Sequence, residues 1–134
     1  MYLFDTDTLS NIVKKRPSEF LLEKLNFIGE GSQFTTSINI GEIYYGAIRS
    51  DRKDKILTTF ETYIFPSLTV LPFDEESGKQ FGALKAHLEQ RGIGCSESDL
   101  RIAAVSIQHD LILVTGNVKH FKNIPGLNYE NWIK

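Results

Sequence analysis

The chain has 134 residues, 41% hydrophobic and 24% charged, with a formal net charge of -2. That balance suits one soluble domain over residues 1–134 with enough core to need no disulfide, and the single cysteine, Cys95, excludes an internal one and fits a reducing cytoplasm. No apolar run approaches the roughly 20 residues that cross a bilayer, Asp5 and Asp7 come too early for a secretory signal, and so acidic a chain binds nucleic acid only through local basic patches or bound cations.

Tyr2–Phe4 reads as a short apolar strand, with Thr6 or Asp7 as the cap of a helix running to about Lys15 and stopped by Pro17. Ser18 caps a second helix, Glu19 to Ile28, which ends near Gly29 and Gly31. Gln33–Thr36 is a Thr-rich strand. Ser37 is expected to cap a third helix with the apolar stripe Ile40, Ile43, Tyr44, Ala47 and Ile48. Asp51 to Ile64 reads as one helix closed by Pro66, Thr69–Leu71 as a brief strand, and Asp74 to Gln90 as a long helix with Phe81, Leu84 and Leu88 inward. Ser96 caps a helix to about His109. Leu111–Val114 is apolar throughout, as at the centre of a parallel sheet. Helices alternating with short apolar strands predict an α/β layered fold, a central and mostly parallel sheet flanked by helices.

Four residues far apart in sequence sit at strand ends or helix starts: Asp5 after the first strand, Glu42 early in the third helix, Asp99 in the first turn of the Ser96 helix, and Asn117 after Thr115. Parallel sheets bind ligands beyond the carboxyl ends of their strands. Carboxylates gathered there repel one another unless a cation lies among them, so the pattern suggests a divalent-metal site and a hydrolase. Each residue also has a plainer role. Asp5 and Asp7 are good helix caps, and a helical Glu42 is commonly just solvated. Ser96–Asp99 has capping-box spacing, and Asn117 suits a turn. Thr6 and Thr115, at strand ends, are expected to orient water or phosphate. Arg49 and Lys119, with Arg52 and Lys122, are candidates to hold a polyanion backbone. His87 and His109 read as surface residues and His120 as a substrate contact.

Order and spacing carry more than any one residue. Leu3-Phe4-Asp5-Thr6-Asp7-Thr8-Leu9-Ser10, Gly41-Glu42-Ile43-Tyr44-Tyr45-Gly46, Asp99-Leu100-x-Ile102-Ala103-Ala104, Leu113-Val114-Thr115-Gly116-Asn117 with Phe121, and the ending Pro125-Gly126-Leu127…Trp132 together resemble the PIN-domain ribonucleases. Within them the chain looks like the VapC toxins of prokaryotic toxin–antitoxin pairs, and the resemblance runs through nearly the whole chain. It implies a single PIN-like domain that cleaves RNA, with Asp5, Glu42 and Asp99 as catalytic, metal-holding acids. Asn117 stands where many members have a fourth acid, and Asp7 replaces the common Asn, so both are candidate contributors to the metal site. The implied cofactor is Mg²⁺, with Mn²⁺ as a substitute. The implied partners are RNA, a small VapB-like antitoxin and a second copy of the chain. The helices around Tyr44, Tyr45 and Phe60 are candidates for such an interface or for the core.

Two other classes compete. Haloacid-dehalogenase-type phosphatases carry D-x-D-x-[TV] after the first strand, which Asp5-Thr6-Asp7-Thr8-Leu9 approaches but Leu9 breaks. A catalytically weak RNA- or partner-binding PIN module is permitted by Asn117 and opposed by retention of Asp5, Glu42 and Asp99.

Overall fold

The computed structural model describes every residue from Met1 to Lys134. Strand β1 (Tyr2–Phe4) runs straight into helix α1 (Thr6–Ile12), followed by α2 (Glu19–Phe27), β2 (Gln33–Thr36), α3 (Ser37–Arg49) and α4 (Lys53–Thr59). Then come β3 (Thr69–Leu71), α5 (Glu75–Gln90), α6 (Glu97–Gln108), β4 (Ile112–Val114), α7 (Val118–Phe121) and β5 (Tyr129–Glu130). The five strands are all parallel, in the order β3-β2-β1-β4-β5. β1 is therefore central, with Leu3 between Phe34 and Leu113.

Side chains alternate across the sheet. Leu3 and Leu113 enter one core with Leu84, Leu88, Leu100 and Ala103 of α5 and α6. Phe4 and Val114 enter the other with Leu9, Leu21, Ile43, Phe60 and Trp132. Burial on both faces is why β1 and β4 are continuously apolar rather than alternating. It also forces the chain leaving β1 to emerge at the sheet's carboxyl edge, where its next residue is Asp5.

Several local expectations shift. α1 ends at Ile12 rather than Lys15, because Lys14, Lys15 and Arg16 are exposed and offer no apolar face to bury. Its cap is Asp5, whose carboxylate accepts the Thr6 N–H, and not Thr6 or Asp7. α3 is capped by Thr36 rather than Ser37, through a reciprocal box in which Thr36 and Asn39 each bond the other's backbone N–H. Ile48 is 58% exposed and lies outside the α3 stripe, while Ile43 and Ala47 are buried. The Asp51–Ile64 segment is not one regular helix. After α4 it widens into a π turn at Phe60–Ile64, where the Phe65 N–H bonds the Phe60 carbonyl, and then tightens at Phe65–Ser67. The wider turn lets Phe60 and Ile64 both reach the core. α7 and β5 are too short to show a hydrophobic period. No helix is long and apolar enough to cross a membrane.

Candidate active site

The Asp5 backbone N–H donates to the Val114 carbonyl at 3.0 Å, so the β1–β4 ladder itself delivers Asp5 to the edge. The residue is only 4% exposed. Oδ1 accepts from the Thr6 N–H at 2.9 Å and from Asn39 Nδ2 at 3.1 Å, and Oδ2 accepts from the Thr115 hydroxyl at 2.8 Å. Burial pushes the Asp5 carboxyl up to about 6. The Thr115 hydrogen bond opposes that rise, the neighbouring charge of Asp7 adds to it, the Thr6 N–H opposes it, and the charge of Glu42 adds a smaller amount. Three acids thus share one field, the behaviour expected of carboxylates gathered without a cation.

Glu42 is held by two hydroxyls. Thr6 Oγ1 donates to Oε1 at 2.6 Å and Ser98 Oγ to Oε2 at 3.0 Å. Thr6 in turn accepts from Asn39 Nδ2 at 3.0 Å. Asn39 therefore binds Asp5 and Thr6 at once while its own carbonyl oxygen accepts from the Thr36 hydroxyl at 2.6 Å. Sequence reasoning missed Asn39 and Ser98. One signal for Asn39 was available: it lies three residues before Glu42, on the same helix face. Ser98 had no such signal, because its partner lies 56 residues away.

Asp99 enters from α6, where the Ser96 hydroxyl oxygen accepts its backbone N–H at 3.1 Å. Its side chain is 18% exposed, and Oδ2 lies 3.2 Å from His120 Nδ1. Ser98, one residue earlier, ties the same turn to Glu42. Asp5 and Glu42 thus hang on one hydrogen-bonded frame, to which Asp99 is joined through the backbone of its neighbour Ser98.

The other expected residues are placed differently. Asp7 Oδ2 accepts the Gly116 N–H at 2.9 Å, so its carboxylate pins the loop after β4. Thr115 holds Asp5 and also accepts the Asn117 N–H at 3.0 Å. The Asn117 side chain is exposed and bonds to none of the acids. Arg49 lies two helical turns beyond Glu42, with its guanidinium 5.0 Å from the Tyr45 ring centre and donating to the Tyr45 hydroxyl. Lys119 stands beside Asp99 and His120.

No three carboxylate, imidazole or thiolate groups lie close enough to enclose a metal ion by themselves. The site's donors are nonetheless all oxygens, carboxylates backed by hydroxyls. That set suits a hard cation such as Mg²⁺, which keeps several waters and takes one or two protein carboxylates.

Gly116 shows how tightly the loop is held. A Cβ there would stand 2.8 Å from Asp7 Oδ2 and 3.0 Å from Ile133 Cδ1. Gly116→Ala is expected to lose about 1–3 kcal/mol of stability through this crowding. Urea unfolding would check it, and a midpoint equal to that of the unaltered chain would show that the loop yields freely.

A family model described as the PIN domain matches residues 2–127. The sequence is 33% identical over 132 residues to ribonuclease VapC2 of Haemophilus influenzae, covering 98% of each chain. It is 30% identical over 131 residues to the tRNA(fMet)-specific endonuclease VapC of Salmonella typhimurium, covering 98% of this chain and 97% of that one. Its fold matches the crystal structure of VapBC2 from Rickettsia felis bound to a promoter DNA fragment, with a TM-score of 0.90, 29% identity and 98% of each chain covered.

Proposed function

The chain belongs to the PIN-domain family, among its VapC ribonucleases, and on that premise we propose that it is the Mg²⁺-dependent endoribonuclease toxin of a toxin–antitoxin pair. The observation that carries the metal reading is the buried Asp5 at the carboxyl end of the central strand, its pKa raised by burial and by the charges of Asp7 and Glu42. Asp5, Glu42 and Asp99 would hold Mg²⁺, or Mn²⁺ in its place, with one or two of the carboxylates binding directly and bound waters bridging to the rest, and the ion would supply an activated water and polarise the scissile phosphoryl oxygen.

The chain's own groups set that site up. Thr115 and Asn39 fix the two Asp5 oxygens, and Thr6 and Ser98 fix those of Glu42. These bonds hold the carboxylates in place before substrate arrives, so little reorganisation remains at reaction. Asp7 acts on Asp5 through its charge while holding the Gly116 loop. Asn117, exposed beyond Thr115, contributes at most a neutral oxygen. Lys119, beside Asp99, offers a cation to the RNA backbone, and Arg49 offers another two turns further along α3. If such contacts matter, added salt weakens RNA binding.

The likeness to the VapBC2 complex of Rickettsia felis supports a VapB-like antitoxin as partner. Phe60 is core, so an interface with antitoxin or with a second copy would use the outward Tyr45 and Ile48 of α3 instead. A cytoplasmic site of action fits an RNA target and the single Cys95.

Cleavage of an RNA pool that includes tRNA, prompted by the Salmonella relative, tests the reading. Cutting is expected with Mg²⁺ or Mn²⁺ and not with EDTA. Asp99→Asn should lower the rate by roughly a thousandfold while the fold persists, since removing a metal-holding charge forfeits several kcal/mol of transition-state stabilisation. Wild-type cleavage by the folded variant, or undiminished cutting in EDTA, would sink the assignment.

A further inference from the structure

We infer that the hollow between Gly94–Ser96 and Lys119–His120 is a subsite for the single-stranded nucleotide next to the scissile phosphate. The inference rests on the ribonuclease reading and adds where the strand lies. The hollow has a volume of about 290 Å³ and is lined by Gly94, Cys95, Ser96, Asp99, Lys119 and His120. That is near the lower bound, roughly 300 Å³, of ligand-sized pockets. Because Asp99 forms part of its wall, whatever fills it abuts the acids described above.

The lining matches a nucleotide group by group. Lys119 is exposed and forms no ion pair, so its ammonium is free for a phosphate. The His120 ring is turned by its Nδ1 contact with Asp99, while Nε2 makes no hydrogen bond and the side chain remains 58% exposed. An imidazole held by one edge with an open face is a platform on which an unpaired base stacks. The opposite wall is low. Gly94 has no side chain, and a Cβ added there would meet nothing within 4 Å. Cys95, half-buried with Sγ 3.6 Å from the His120 carbonyl oxygen, gives that wall an apolar floor. Lys119 and His120 also border a second hollow with Gly116, Asn117 and Asn131, so they form a ridge that a strand can follow past Asp99.

Cys95 is the chain's one cysteine, so it reports on this hollow alone. The test is the rate of Cys95 alkylation by iodoacetamide, read by mass spectrometry, in full-length Asp5→Asn protein with Mg²⁺ and a mixed-sequence single-stranded RNA. Burial and the charge of Asp99 raise the thiol's pKa, so the labelling is run in mild alkali. RNA is expected to slow alkylation at least fivefold. His120→Ala should weaken RNA binding by roughly 5- to 150-fold, the range for one lost stacking contact. Lys119→Ala in the otherwise unaltered enzyme should raise KM more than it lowers kcat. Wild-type enzyme alkylated at Cys95 should cut RNA poorly.

If the wild-type protein cuts RNA while RNA leaves the alkylation rate unchanged and Cys95-alkylated enzyme keeps its kcat/KM, the subsite is wrong and the ribonuclease stands. If RNA is neither bound nor cut with any divalent ion, both fall together.

Discussion

Asp5→Asn is expected to reduce RNA cleavage by roughly a thousandfold and, in the same step, to make the metal-free protein more stable at pH 7.5. The two effects share a cause. Asp5 is 4% exposed, and burial raises its pKa from an ordinary 3.8 to about 6. The folded state therefore holds the Asp5 proton more tightly than the unfolded chain does. Stability contributed by this group is fully present below pH 3.8 and is lost as pH rises through about 6. At about 1.36 kcal/mol per pH unit, the penalty of keeping Asp5 ionised in the fold at pH 7.5 is about 3 kcal/mol.

Asn removes that charge with little other damage. It caps a helix as well as Asp does. Its amide oxygen can still accept from Thr6 and Asn39, and its NH₂ can donate to the Thr115 hydroxyl oxygen. Thermal melts of both proteins at pH 4 and pH 7.5, with and without Mg²⁺, check the expectation. The variant should melt higher than wild type at pH 7.5 without metal, and the gap should close toward pH 4. Mg²⁺ should raise the wild-type melting temperature and leave the variant's almost unmoved, because a ligand stabilises only the state that binds it. Wild-type cleavage should fall in acid, where protons compete with the metal for the Asp5 carboxylate. Parallel pH profiles for the two melting temperatures would mean that ionised Asp5 is not under strain.

Trp132→Ala should have the largest effect on stability, about 3–5 kcal/mol, or roughly 10 °C or more in melting temperature. Trp132 is 1% exposed although it stands two residues from the end of the chain. Its ring meets Tyr2 edge-on at 4.9 Å and Phe4 at 5.6 Å, and its indole N–H donates to Glu130 Oε1 at 2.9 Å. Ser18 Oγ also donates to the Trp132 carbonyl at 3.1 Å, fastening the same segment to the start of α2. Truncation leaves a cavity under β1 and an unpaired Glu130 carboxylate. Since Phe4 directly precedes Asp5, the same change is expected to loosen the site. Denaturant unfolding gives the number, and a loss under about 1 kcal/mol would show that the tail is dispensable. The family match ends at residue 127, so this anchor lies beyond it.

What the sequence determined by itself was local or repeated. The continuous apolar runs of β1 and β4 read as strands buried on both faces, and that placed Asp5 at a sheet edge. Capping residues located most helices to within a turn, and the order of short motifs was enough to point to the PIN-domain family.

The tertiary structure decided what depends on residues distant in the chain. The Thr115–Asp5 and Gly116–Asp7 bonds span 110 and 109 residues, and the Asn39–Asp5 bond spans 34. A hydrogen bond between such residues leaves no periodicity, so nothing local distinguishes a serine that holds Glu42 from one that is merely solvated. Asp7, a candidate helix cap or contributor to the metal site, accepts the Gly116 N–H, because the β1–β4 pairing brings the Gly116 loop over the first turn of α1. For the same reason His120 faces Asp99: α6 and α7 are separated by a strand in the chain and brought together only by packing.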